Sequence, residues 1–225
     1  MLNDHPFNMI SADRILQLIK TDSAIEAFAS GSMAENITMI PDTLLLEPGT
    51  VPILTIRDPR LTVPSTYRTL QAMGLPHGSG RPNFLVSTTP LWNRLLYDFF
   101  VAKGVQPVVV DADDVMTSPD FVRHLCSKIE LDPDEAQFSW AAASKEVREN
   151  LHPMFYASQK SLVDSAGIDP RKAARNRDLD AEEGLWDAEF GEDVALVREM
   201  VDLAMPHYRY LYERRLTLQA DCNRS

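Results

Sequence analysis

The chain reads as one α/β domain, a three-layer sheet with parallel strands and a helical C-terminus. Two apolar runs and the order of the segments around them lead to that class. VPILTI (Val51–Ile56) and QPVVV (Gln106–Val110) are continuous runs rich in β-branched residues. Such runs suit parallel strands covered on both faces by helices. Strand, helix, helix, strand, helix is the order of a layered α/β sheet. The 225 residues are enough for a single domain over 1–225.

The elements follow in turn. Residues 11–28 (SADRILQLIKTDSAIEAF) place Ile15, Leu18 and Ile19 on one helical face, with Ser11 as cap. A loop with Pro41 and Pro48-Gly49 leads into the first strand. Pro64 falls in the first turn of the next helix, which Ser65–Met73 continues. GLPHGSGRPN reads as loop, and residues 89–102 (TPLWNRLLYDFFVA) as an amphipathic helix closed by Gly104. After the second strand, residues 119–129 are helical and LDPDEAQFSWAAAS is a short helix or turn. Residues 146–166 form helix around a break at Pro153, and the charged stretch 169–183 reads as surface loop. Residues 189–218 close the chain as helix, with a kink expected at Pro206.

Composition narrows the function classes. The chain is 44% hydrophobic and 24% charged, with net charge −11 and pI near 4.9. Nucleic-acid binding is not expected from that charge. No apolar run reaches the length of a membrane helix, and no membrane contact is expected. MLNDHPFNMI has no basic region ahead of an apolar one, and a reducing, cytoplasmic location is expected. Cys126, in FVRHLCSKI, reads as a buried core thiol, while Cys222 lies in the polar tail.

Candidate site residues gather at the strand ends, where ligands of open α/β sheets bind. Arg57 ends the first strand and can grip a phosphate or carboxylate with two donors. Ser65, eight residues on, can add a hydroxyl. An Arg57–Asp58 or Arg57–Glu pair closing the strand is equally open. Asp111, Asp113 and Asp114 form an acidic cluster that suits a general acid/base pair, a cation site or a helix cap. Trp92, Tyr97, Trp140, Phe155, Tyr156 and Trp186 line either an apolar pocket or the core. The histidines lack zinc-site spacing, so no metal is expected, and no G-x-S-x-G elbow is present. His5 reads as a surface residue, or as one that reaches the crevice if the N-terminus packs across it.

IRDPRLTVPSTYRTL resembles the 3′-phosphate-binding segment of sulfotransferases, in which a strand ends in arginine, Asn/Asp-Pro follows and a serine comes eight residues later. Arg57 and Ser65 match those positions. PVVVDADDVMTSPDFVRHLCSKIEL is similar to the family's later strand, acidic turn and helix, and GLWDAEFGED to its "GDW…F" segment. The resemblance covers roughly Val51–Glu192. DADDVMTSP, FSWAAAS, LWDAEFG and AMPHYRYLYERRL resemble more narrowly the fungal sulfotransferase-like proteins, described as P-loop-NTPase-like.

The phosphate-cradling loop G-x-x-x-x-G-K-[ST] of the wider family does not occur in these residues. The resemblance therefore implies a member shortened at the N-terminus and lacking the P-loop, with no cofactor and with little affinity for ATP or phosphoadenosine phosphosulfate. Members beside polyketide pathways imply a cyclase that closes a lactone (α-pyrone) ring on a polyketide-like small molecule, with a polyketide synthase as partner and a homodimer left open. Catalytic roles would fall to Arg57, Asp58, Asp111 and Asp113, and substrate contacts to Ser65, Tyr67, Trp92 and Trp186. An adenosine-phosphate-binding sulfotransferase-like enzyme and a non-catalytic scaffold are the alternatives.

Overall fold

Ile53–Ile56 (β1) and Val108–Asp111 (β2) lie side by side in parallel, with Ile53 opposite Val108 and Ile56 opposite Asp111. The structure, a computed structural model, describes residues 6–20, 35–75 and 80–218. Among these the sheet has two strands. The expected parallel pairing is present, while a wider sheet is not seen among the described residues. Leu54, Ile56, Val109 and Val110 are buried, and Ile53 and Thr55 stay exposed. Each outer edge receives one donor. Asn93 Nδ2 bonds the Thr55 carbonyl at 2.8 Å, and the Leu216 N–H bonds the Val109 carbonyl at 2.8 Å.

Ahead of β1 stand Pro6–Met9 (α1), Ala12–Lys20 (α2) and Asp42–Leu45 (α3). The helix expected over 11–28 is described as far as Lys20; the rest lies outside the described residues. Pro59–Ala72 (α4) starts directly after β1, so Pro64 is a buried interior residue rather than a first-turn one. Asp58 sets that early start. Its carboxylate caps the Arg60 N–H at 2.8 Å, and Pro59 takes a position that needs no donor. Arg81–Thr88 (α5) takes in the RPN read as loop, because Pro82 fits its first turn. Leu91–Ala102 (α6) ends before Gly104, which has φ 78°.

Ala112–Thr117 (α7) and Pro119–Lys128 (α8) follow β2, capped by Asp111 and Ser118. Cys126 on α8 is half-buried, not a core thiol. Lys145–Asn150 (α9) and Pro153–Val163 (α10) divide near Pro153 as expected. The stretch 169–183 is not a plain loop. It forms 3₁₀ turns at Pro170–Lys172 and Ala174–Asn176 and then Leu179–Gly184 (α11), capped by Asp169 and Asp178. Ala173 and Leu179 anchor it in the interior. Trp186–Phe190 (α12) is a separate short helix, and the closing helix expected over 189–218 is Val194–Tyr212 (α13) after it. Gly191, at φ 54°, makes the break, and α13 continues through Pro206.

Helix α13 packs on α4, α5 and α6 and touches both strands. Trp92, Leu95 and Phe99 of α6 meet Val197, Met200 and Leu211 of α13 in one buried cluster. Each such side chain contributes about 1.5–3 kcal/mol by leaving water. No described helix is long and apolar enough to cross a membrane.

Candidate functional site

The parallel register brings Arg57 and the Asp111–Asp114 turn to the same end of the sheet, beyond the carboxyl ends of both strands. Arg57 is half-buried there. Its Nη2 donates to the Lys172 carbonyl at 2.8 Å, and its Nε is buried with no partner. Neither ion pair open to Arg57 from the sequence is formed with a described residue. Burial is the largest influence on the guanidinium and pulls its pKa down. Asp113 opposes that pull most strongly, Arg177 adds like-charge repulsion, and Asp111 and Asp58 also favour the charged form.

The three candidate acids are engaged in building this end of the molecule. Asp58 caps α4 and also holds the Arg60 guanidinium, at 3.2 Å to Nε and 2.9 Å to Nη2. Asp111 caps α7 through the Asp113 N–H at 2.7 Å and accepts the Tyr208 hydroxyl at 3.0 Å. It is 1% exposed, and burial raises its pKa. Asp113 accepts the backbone N–H groups of Ala174 and Arg175 at 2.8 and 2.9 Å. Asp114, next in the cluster, takes Arg175 Nη2 at 2.6 Å and Arg215 Nε at 3.3 Å. Asp113 and Asp114 thus moor the segment 170–177 across the strand ends, and that segment presents the Lys172 carbonyl to Arg57, while Arg177 pairs with Glu182.

Ser65 is exposed on α4, and no described group bonds its hydroxyl. The aromatic candidates lie elsewhere. Tyr67 is buried between Phe84 and Phe190, and its hydroxyl donates to Asp193. Burial and that carboxylate push its pKa up to about 12. Trp92 is 2% exposed and donates Nε1–H to the Val86 carbonyl at 3.0 Å; Trp186 is 2% exposed beside Phe190. These three rings face the core rather than an open crevice. His5 and His77 lie outside the described residues. Among the described residues no group of His, Cys, Asp and Glu is arranged to hold a metal ion.

Two features of this end escape a reading by segments. The segment 170–177 (PRKAARNR) carries its signal in plain view, four cations within seven residues, but its contact with a strand end 115 residues away is tertiary. Tyr208 reads as an ordinary member of an amphipathic helix and reaches Asp111 only through the packing of α13 on β2.

No family model and no solved structure matches the chain. Curated relatives do. The chain is 36% identical over 204 residues to Sulfotransferase ppzF of Metarhizium majus (strain ARSEF 297), and 35% identical over 204 residues to Sulfotransferase ppzF of Metarhizium rileyi (strain RCEF 4871). Each match takes in 84% of this chain and 59% of the relative, so the chain spans less than two thirds of their length. The strand-end arginine, the serine on the helix after it and the aspartate turn of the second strand all lie in a chain that belongs to the fungal sulfotransferase-like family.

Proposed function

We propose that the chain is a sulfotransferase-like enzyme of fungal small-molecule metabolism, and that Arg57 and Ser65 receive the 3′-phosphate of an adenosine 3′,5′-bisphosphate-type donor. In this reading β1 and β2 belong to a three-layer sheet of the sulfotransferase kind. The observation that carries it is the state of Arg57: a half-buried cation with one buried N–H unpartnered and no ion pair with a described carboxylate, whereas the nearby Arg177 is paired with Glu182. A buried cation left in that state is costly. A phosphate there supplies the missing acceptor and a counter-charge for Arg57, and Ser65 has a hydroxyl open to solvent to add. The relatives named sulfotransferase agree with that chemistry.

A lactone-closing cyclase is the second reading. It draws on the absence of a Walker-type loop from these 225 residues, and it would turn the Arg57 cation on an acyl oxygen of a polyketide-like substrate. It also needs a free base, and Asp58, Asp111 and Asp113 are each held by backbone N–H groups or by side chains. The anion-binding reading is therefore preferred.

Calorimetry with nucleotides tests it. Adenosine 3′,5′-bisphosphate is expected to bind the chain roughly 10- to 100-fold tighter than adenosine 5′-monophosphate, the worth of one charge-assisted donor set. ATP is expected to bind no better than the monophosphate. Equal affinity for the two adenosine nucleotides removes the 3′-phosphate from the account.

A further inference from the structure

Lys172 gives its backbone carbonyl to Arg57 and also lines a separate groove. That groove, of about 660 Å³, lies between the C-terminal part of α10 and the segments 138–139 and 164–172. Its size is that of a small-molecule site.

Its floor is fixed backbone. Ser139 and Gly167 pair as an antiparallel bridge, the Ile168 N–H bonds the Phe138 carbonyl at 3.1 Å, and the Trp140 N–H bonds the Ala166 carbonyl at 3.1 Å. A Cβ on Gly167 would stand 2.9 Å from the Phe138 oxygen, so a residue with a side chain does not fit this approach without a shift. The carboxylates in the lining are already engaged. Asp164 accepts the Tyr156 hydroxyl at 3.1 Å, and Asp169 holds Arg171 at 2.8 and 3.0 Å. The ammonium groups of Lys160 and Lys172 make no ion pair or hydrogen bond with a described residue, in a chain of net charge −11. Phe138 and Ile168 supply apolar surface in the same lining.

We propose that this groove binds a small amphipathic carboxylic acid, its aryl or alkyl part on Phe138 and Ile168 and its carboxylate on Lys160 and Lys172. The binding stands apart from the nucleotide reading. That the ligand is the acceptor of a transfer rests on that reading, through the Lys172–Arg57 contact.

The probe is 4-phenylbutyrate, with 4-phenylbutyramide as its neutral match, followed by amide chemical shifts of the whole chain. The acid is expected to shift Gly167 and Ile168 and to bind at least tenfold tighter than the amide. The Lys160→Met/Lys172→Met double variant is expected to lose at least tenfold in affinity for the acid. Saturating adenosine 3′,5′-bisphosphate is expected to leave the acid bound. Equal binding of acid and amide, unchanged binding by the double variant, displacement by the nucleotide, or no binding of the acid each overturns the proposal. Failure of the nucleotide reading alone looks different: the acid still binds and the nucleotide does not.

Discussion

Asp113 has one carboxylate oxygen on the Ala174 N–H and the other on the Arg175 N–H, and it is 7% exposed. Together with Asp114, which holds the Arg175 guanidinium, it ties the acidic turn of β2 to a basic segment 61 residues further on. Asp113→Ala leaves two donors without their acceptor, a loss of about 2–4 kcal/mol. Urea unfolding measures the loss, and faster hydrogen exchange at Ala174 and Arg175 locates it; an unchanged midpoint would show that the mooring is idle. His207 makes a second residue-scale prediction. It is 4% exposed beside Arg94, and burial, with the nearby guanidinium, pulls its pKa from 6.5 down to about 4. Between those values the unfolded chain binds a proton that the folded chain refuses. Stability held by the neutral imidazole is therefore complete above pH 6.5 and falls as pH drops toward 4. Between pH 7.5 and 5 the loss is about 2 kcal/mol. His207→Gln should flatten that part of the profile relative to wild type, and parallel profiles for the two proteins would refute the assignment. Neither role is written in the residue's local sequence. DADDV shows an acid cluster but not which oxygens meet a distant backbone.

At the scale of elements, legibility follows how local the cause is. VPILTI and VVV declare strands because nearly every residue in them is apolar, though Ile53 and Thr55 of β1 stay exposed, and Ile56 and Asp111 end them in register. The α6 helix is equally plain, since its apolar face is continuous and Gly104 stops it. Boundaries set by one polar contact are harder. The start of α4 depends on the Asp58 cap, and Pro64 is the more conspicuous residue. The stretch 169–183 hides its structure because only Ala173 and Leu179 carry its burial, while caps at Asp169 and Asp178 look like loop acids. Aromatic spacing is ambiguous for a related reason. Tyr67, Trp92 and Trp186 recur as pocket-lining side chains do, and it is the packing of α4, α12 and α13 that turns them inward.

For the molecule as a whole, the net charge of −11 and the cationic strand end coexist because screening confines each to its neighbourhood. Arg57 meets the Lys172 carbonyl at the carboxyl ends of a parallel pair, the place where an α/β sheet takes its ligand, with Arg177 near enough to repel it. That convergence, with Arg57 partly unsatisfied, is the centre of the functional account. The most direct measurement compares Arg57→Lys and Arg57→Ala with wild type for adenosine 3′,5′-bisphosphate affinity and for melting temperature. An ammonium keeps the charge but not the planar fork, so both variants are expected to bind the nucleotide roughly 10- to 100-fold more weakly. The melting temperature of Arg57→Ala should hold or rise, because a partly desolvated cation without an ion pair has been removed. Wild-type nucleotide affinity in Arg57→Ala, together with a lowered melting temperature, would contradict the account and make Arg57 a structural strand stop.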